Sequence, residues 1–158
     1  MMRAMRFPPP GHCRVAAELR TRLQALDADF DLDDEVTASG ALARPLAVFG
    51  RTLSNRFATQ PMEGWDGTPE GGPSEHTLRR WRRFGQSGAS LVFGGEAFAV
   101  LPEGRANPNQ LFLGPDSERH LGELLEQVRA GSAEAGGGDP LIGLQLTHSG
   151  RFSRPHGP

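Results

Sequence analysis

The stretch Leu141–Arg151, LIGLQLTHSGR, changes character halfway along. Apolar Leu141, Ile142 and Leu144 give way to Gln145, Thr147, His148 and Arg151. Gln145 carries a donor and an acceptor in one plane, which suits an amide- or imide-like edge. His148 brings a titratable ring, and Arg151 a permanent charge that could reach an anion or brace the loop through a salt bridge. Two other segments offer comparable groups: Gln60-Pro61-Met62-Glu63 and Gly94-Gly95-Glu96-Ala97. Met62 can lay a polarizable thioether against an aromatic ring. Small residues at 94, 95 and 97 leave room for something flat above a strand. Each feature also has a plainer reading. Gly94-Gly95 is equally suited to a bulge or a tight helix contact, and Gln145 to satisfying a neighbouring backbone group. Glu96, inside an apolar run, needs a cationic partner, for which Arg105 or an arginine from later strands is a candidate.

These residues need elements to carry them. Residues 1–43 read as an N-terminal extension: a Pro-rich opening, a helix over Arg14–Leu26, and an acidic, solvated turn at DADFDLDDE. A hairpin turning at Gly50 then leads into a strand over 56–62, followed by a glycine-rich loop over 63–74. Ser74 is placed to cap a helix reaching Gln86. Leu78, Trp81 and Phe84 would form its apolar side, with Arg79, Arg80, Arg82 and Arg83 on a solvated face. A strand over 89–100 follows. Asp116 or Ser117 then caps a helix over 118–131 with Leu121, Leu124, Leu125 and Val128 as its stripe. SAEAGGGDP breaks that helix before the third strand, from Leu141.

Short apolar strands alternating with helices specify an α/β fold with parallel pairing and right-handed crossovers. Strands buried on both faces expect neighbours, so three of them read as part of a larger sheet. A doubly wound sheet is one continuation, and a (β/α) barrel of about 250 residues is the other.

Composition narrows the function classes. The chain has 158 residues, 17 basic and 19 acidic, for a net charge of −2. Every basic residue is arginine, and lysine and tyrosine are absent. This balance argues against a general nucleic-acid or anionic-membrane surface. A single cysteine, Cys13, excludes an internal disulfide and any four-cysteine metal cluster, and fits a reducing cytoplasm. No apolar run approaches the roughly 18 residues of a membrane-spanning helix, and the N-terminus lacks the core of a secretory signal.

LSNRFATQPMEG, GASLVFGGEAFAVLPEGRANPNQLFL and IGLQLTHSGRFSRP together resemble the first three strands of the old yellow enzyme family. The resemblance runs in order from about Leu46 to Pro155. It implies an incomplete (β/α)8 TIM barrel over 44–158, with the first three βα units present and the chain truncated. It also implies FMN as cofactor, NAD(P)H as hydride donor, and hydride transfer through the flavin N5 to an activated alkene. Position by position, Pro61 and Met62 would run along the flavin, and Ala97 would give its backbone to the pyrimidine side. Gln145 would meet the O2/N3 edge. Glu63 stands where relatives commonly place threonine or cysteine, and its backbone is expected to make the contact. His148 is expected to order its loop. The groups that hold the substrate carbonyl, the proton-donating tyrosine and the phosphate loops belong to later strands, so no catalytic residue is assigned. The alternatives are a non-catalytic half-barrel that associates with itself or a complementary half through unpaired strands, and a different phosphate-binding (β/α) barrel.

Overall fold

The computed structural model describes residues 9–28 and 30–157. Most of the Pro-rich opening, Asp29 of the acidic turn and Pro158 lie outside the described residues. The chain divides into two compact units, residues 1–40 and 41–158. In the first, helix α1 (Ala16–Ala25) buries none of its residues. Arg20 joins it to the acidic turn by bonding Asp34 and the Leu32 carbonyl.

The second unit begins with an antiparallel hairpin, β1 (Leu46–Val48) and β2 (Arg51–Leu53). Phe49 and Gly50 both take positive φ, 51° and 71°, as a tight two-residue hairpin turn demands. Three parallel strands follow: β3 (Ala58–Thr59), β4 (Leu91–Ala99) and β5 (Leu141–Thr147), in that spatial order. Helix α2 (Glu75–Gln86) connects β3 to β4, and α3 (Ser117–Glu134) connects β4 to β5. The two helices pack on each other and on one face of the sheet. There Trp81, Val92, Phe98, Leu111, Leu124 and Val128 form the buried core. Each large apolar side chain so buried is worth about 1.5–3 kcal/mol. The sheet is open, and Phe93, on the face away from this core, is 45% exposed.

Two elements differ from expectation in where they end. The strand expected over 56–62 pairs only at Ala58 and Thr59. Beyond them Pro61 has no N–H to donate, and β4 bulges away at Gly94. The helix expected to end at Gly131 runs to Glu134, because Ser132, Ala133 and Glu134 carry nothing that stops a helix. It ends where Gly136, at φ 70°, lets Gly137 N–H reach the Ser132 carbonyl (2.8 Å) and Gly136 N–H the Ala133 carbonyl (3.0 Å). At its other end Asp116 makes no side-chain cap bond. The predicted Ser74 cap is present, and Thr77 completes a reciprocal capping box.

Two glycines allow α2 and α3 to touch. A Cβ on Gly85 would sit 2.0 Å from the Val128 carbonyl, and one on Gly131 would sit 2.0 Å from the Arg82 carbonyl. Alanine is the better helix former by about 1 kcal/mol, but here the backbones would have to part. Gly131→Ala is therefore expected to lower stability by about 2 kcal/mol or more. Urea unfolding checks this, and an unchanged or raised midpoint would contradict the close helix contact.

Candidate site at the carboxyl ends of the strands

Strand β4 advances four residues between its partners Phe93↔Gly143 and Ala97↔Gln145, while β5 advances two. Gly94, Gly95 and Glu96 thus oppose Leu144 alone. The bulge needs glycine: Gly94 and Gly95 have φ of 81° and 29°. A Cβ at 94 would meet Gln145 N at 2.9 Å and Pro61 Cβ at 3.0 Å, and one at 95 would meet the Phe84 ring at 3.0 Å. Both plain readings of this pair, bulge and tight helix contact, hold at once. The bulge turns Glu96 towards α2 and returns Ala97 to register beside Gln145.

Glu96 is fully buried. Its Oε1 accepts the Gly64 N–H at 2.7 Å, and its Oε2 is ion-paired to Arg80 Nη2. Arg80, not Arg105, is its partner. The Arg80 fork also grips Asp66 through Nε–Oδ2 (3.0 Å) and Nη2–Oδ1 (2.7 Å), and Nη1 donates to the Gly95 carbonyl at 2.9 Å. Thr77 Oγ1 donates to Asp66 Oδ1 at 2.9 Å. Two carboxylates, one guanidinium, the bulge and the loop after β3 therefore form one network. Burial raises the Glu96 carboxyl above its ordinary value, while Arg80 and the Gly64 amide pull it back. Burial also works against Asp66, but there the bonds from Arg80 win and its carboxyl is lowered. Burial disfavours the Arg80 cation as well, and the two carboxylates outweigh it and raise its pKa.

This corrects the expectation of four solvated arginines. Arg79 and Arg83 are exposed, Arg82 crosses to Glu134 on α3, and Arg80 turns inward. A helical signal for Arg80 existed: it lies three residues after buried Thr77 and four before Phe84, on the same side of the helix.

Arg105 organises the loops instead. It is almost fully buried and donates to the carbonyls of Pro102 (3.1 Å), Pro69 (2.8 Å), Pro108 (2.6 Å) and Pro155 (3.5 Å). Its guanidinium also stacks 4.9 Å from the Phe112 ring. Gln110, fully buried, accepts the Ala106 N–H at 2.6 Å and donates to the Ala97 carbonyl at 2.9 Å. Nothing in residue spacing singles out Arg105 or Gln110, because their partners are backbone carbonyls and amides of distant loops.

Of the candidate site residues, Pro61 and Gln145 come together at Gly94, and Ala97 lies in register beside Gln145. Gln145 is exposed, and among the described residues its side chain makes no hydrogen bond. Met62 is 72% exposed. Glu63 is half-buried, and its carboxylate accepts the Trp65 Nε1–H at 2.9 Å. The Ala97 carbonyl is engaged by Gln110. His148 packs its ring against Gly104, and its Nδ1 accepts the Gly150 N–H at 3.0 Å, which leaves Nε2 to carry the proton in the neutral ring. Arg151 makes no bracing salt bridge among the described residues; it lies 4.5 Å from the Phe152 ring. No group of three or more potential metal ligands occurs among the described residues, and none of their helices is long and apolar enough to cross a membrane. Cavities of about 220 and 360 Å3 lie around Gly137–Asp139, at the opposite end of the sheet.

A parallel sheet with helices on one face, and polar groups gathered at its strand ends, is the arrangement of a (β/α) barrel site. No protein-family model matches the sequence, and no curated protein matches it either. Solved structures do. The old yellow enzyme from Trypanosoma cruzi has a TM-score of 0.58 and 26% identity, covering 73% of this chain and 29% of that one. Morphinone reductase has a TM-score of 0.54 and 28% identity, covering 75% and 29%. A 2-naphthoyl-CoA reductase in complex with 2-naphthoyl-CoA has a TM-score of 0.62 and 17% identity, covering 73% and 17%, a likeness of fold alone. The chain thus matches part of old yellow enzyme-type structures and spans less than a third of their length.

Removing one member of a buried ion pair leaves the other charge stranded, at about 3–5 kcal/mol. Arg80→Met is expected to destabilise by that order in urea unfolding, and a loss below about 1 kcal/mol would contradict the network. Asp66 gives a signed pH effect. Because its folded-state pKa is lowered from 3.8, its contribution is present above 3.8 and lost as pH falls through the lowered value. Glu96, raised from 4.5, acts with the opposite sign. Asp66→Asn should therefore flatten the acid loss of stability below about pH 4. A variant curve parallel to the wild type in that range would contradict the assignment.

Proposed function

We propose that the chain supplies the first three strands of an FMN-binding (β/α)8 barrel in an NAD(P)H-dependent oxidoreductase of old yellow enzyme type. Residues 1–43 are its N-terminal extension and residues 44–158 the N-terminal part of its barrel. The observation that carries this reading is the convergence of Pro61, Gly94 and Gln145, with Ala97 in register beside Gln145, on a fold like that of the Trypanosoma cruzi enzyme. The residues fit a flavin ring. The Gln145 amide is exposed and unbonded among the described residues, as the hydrogen-bonding edge of a pyrimidine requires. The exposed Met62 thioether suits a ring face. Trp65 holds the Glu63 carboxylate, which favours the Glu63 backbone as the group that faces the ring. When bound, FMN would carry hydride from NAD(P)H to an activated alkene. This chain's residues orient the ring. The phosphate site in such barrels is built by the loops after strands 7 and 8. The lone Cys13 suits a reducing cytoplasm.

The half-barrel reading keeps one observation in its favour: Phe93 and Leu146 are 45% and 53% exposed on an open sheet. Flavin fluorescence titration separates the readings. A site that grips the ring without the phosphate should bind FMN only weakly and riboflavin within about threefold of it, and Gln145→Ala should weaken both about tenfold. An oligomer on size exclusion that binds neither flavin supports the self-associating half-barrel. A monomer that binds neither flavin supports a different phosphate-binding barrel, whose phosphate loops would likewise follow later strands.

A further inference from the structure

We propose that Glu96 is a positioning residue: its buried carboxylate, paired with Arg80, holds the Gly64 amide and thereby fixes the Pro61–Gly64 backbone over the strand ends. What that backbone meets rests on the flavin reading above; the anchoring does not. Beyond Thr59 the chain leaves the sheet, and Pro61 has no N–H to give. Among the described residues, Gly64 N–H to Glu96 Oε1, at 2.7 Å, is the only hydrogen bond made by the backbone from Pro61 to Trp65. The loop passes so close to the ion pair that a Cβ at position 64 would lie 2.0 Å from Arg80 Nη2. With no side chain at 64, the N–H reaches the carboxylate without displacing the guanidinium.

Stability alone does not explain the pair. Well-packed apolar side chains of similar volume often serve as well as a buried ion pair, or better. What an apolar pair cannot do is accept the Gly64 N–H on one oxygen and Arg80 on the other. The guanidinium meanwhile holds the Gly95 carbonyl (2.9 Å) inside the bulge that sets Ala97 beside Gln145. One side chain therefore couples the height of the 61–64 segment to the register of Ala97, and these are the two walls of the proposed ring site.

Amide exchange by NMR on the 158-residue chain tests this, with the Gly67 amide, bonded to the Asn109 carbonyl at 3.0 Å, as internal reference. In Glu96→Ala the Gly64 amide should exchange at least about tenfold faster relative to Gly67. In Glu96→Gln, whose carbonyl can accept the same N–H, it should stay within about threefold of wild type. FMN affinity should follow the same order. Should Glu96→Ala not fold, the double variant Glu96→Met with Arg80→Leu fills the space apolarly, and Gly64 should again lose protection relative to Gly67. Unchanged Gly64 exchange, or Gly64 and Gly67 loosening together, overturns the proposal. Selective loosening of Gly64 in a chain whose wild type takes up no FMN or riboflavin upholds the anchor and removes the flavin reading alone.

Discussion

The Arg80 guanidinium meets two parts of the chain that sequence holds apart: Asp66 in the loop after β3, and the β4 bulge, where it takes both the Gly95 carbonyl and the Glu96 carboxylate. A carboxylate with no solvent exposure is costly unless charge and hydrogen bonds both meet it. Glu96 has both, and its position depends on α2 lying against β4. Helix packing, bulge and loop are thus one constraint. Moving α2 by the width of a side chain would strand a charge.

That constraint explains the distribution of glycine. Gly85 and Gly131 let α2 and α3 approach until backbone touches backbone. Gly94 and Gly95 permit the positive φ values that carry β4 over its extra residues. Gly64 lets the loop descend onto the ion pair. At each position the missing side chain is a place where another segment stands. The face of the sheet covered by the helices is finished in this way, whereas the other presents Phe93 without cover.

At the strand ends the buried polar groups are spent on architecture. Arg105 collects prolyl carbonyls from the loops that follow all three strands. Gln110 holds the Ala97 carbonyl, and outside the buried set the exposed His148 closes its own turn. What is left to face outward includes Met62, the Gln145 amide and Arg151, which has no ion pair among the described residues. A rigid second layer beneath a few unspent groups is how a surface can bind one orientation of a planar ligand.

Much of the fold was legible in the residues. Ser74 before a run with Leu78, Trp81 and Phe84, and the stripe from Leu121 to Val128, identify two helices, and three apolar runs identify the strands between them. The hairpin at Gly50 follows from local turn chemistry. Element type is readable because hydrophobic period and capping are local properties. Pairing length was not: β3 stops at Thr59 because of a bulge some 35 residues later. The role of Arg80 was hidden among four neighbouring arginines, because a buried charge is specified by its distant partners. So the sequence by itself determined the α/β class, the order of elements and which three strand ends carry polar groups. Only the tertiary structure decided that Glu96 pairs with Arg80 and that Pro61 and Gln145 meet at Gly94 with Ala97 in register beside Gln145. Those contacts join segments from about 15 to more than 80 residues apart, and no local preference encodes them.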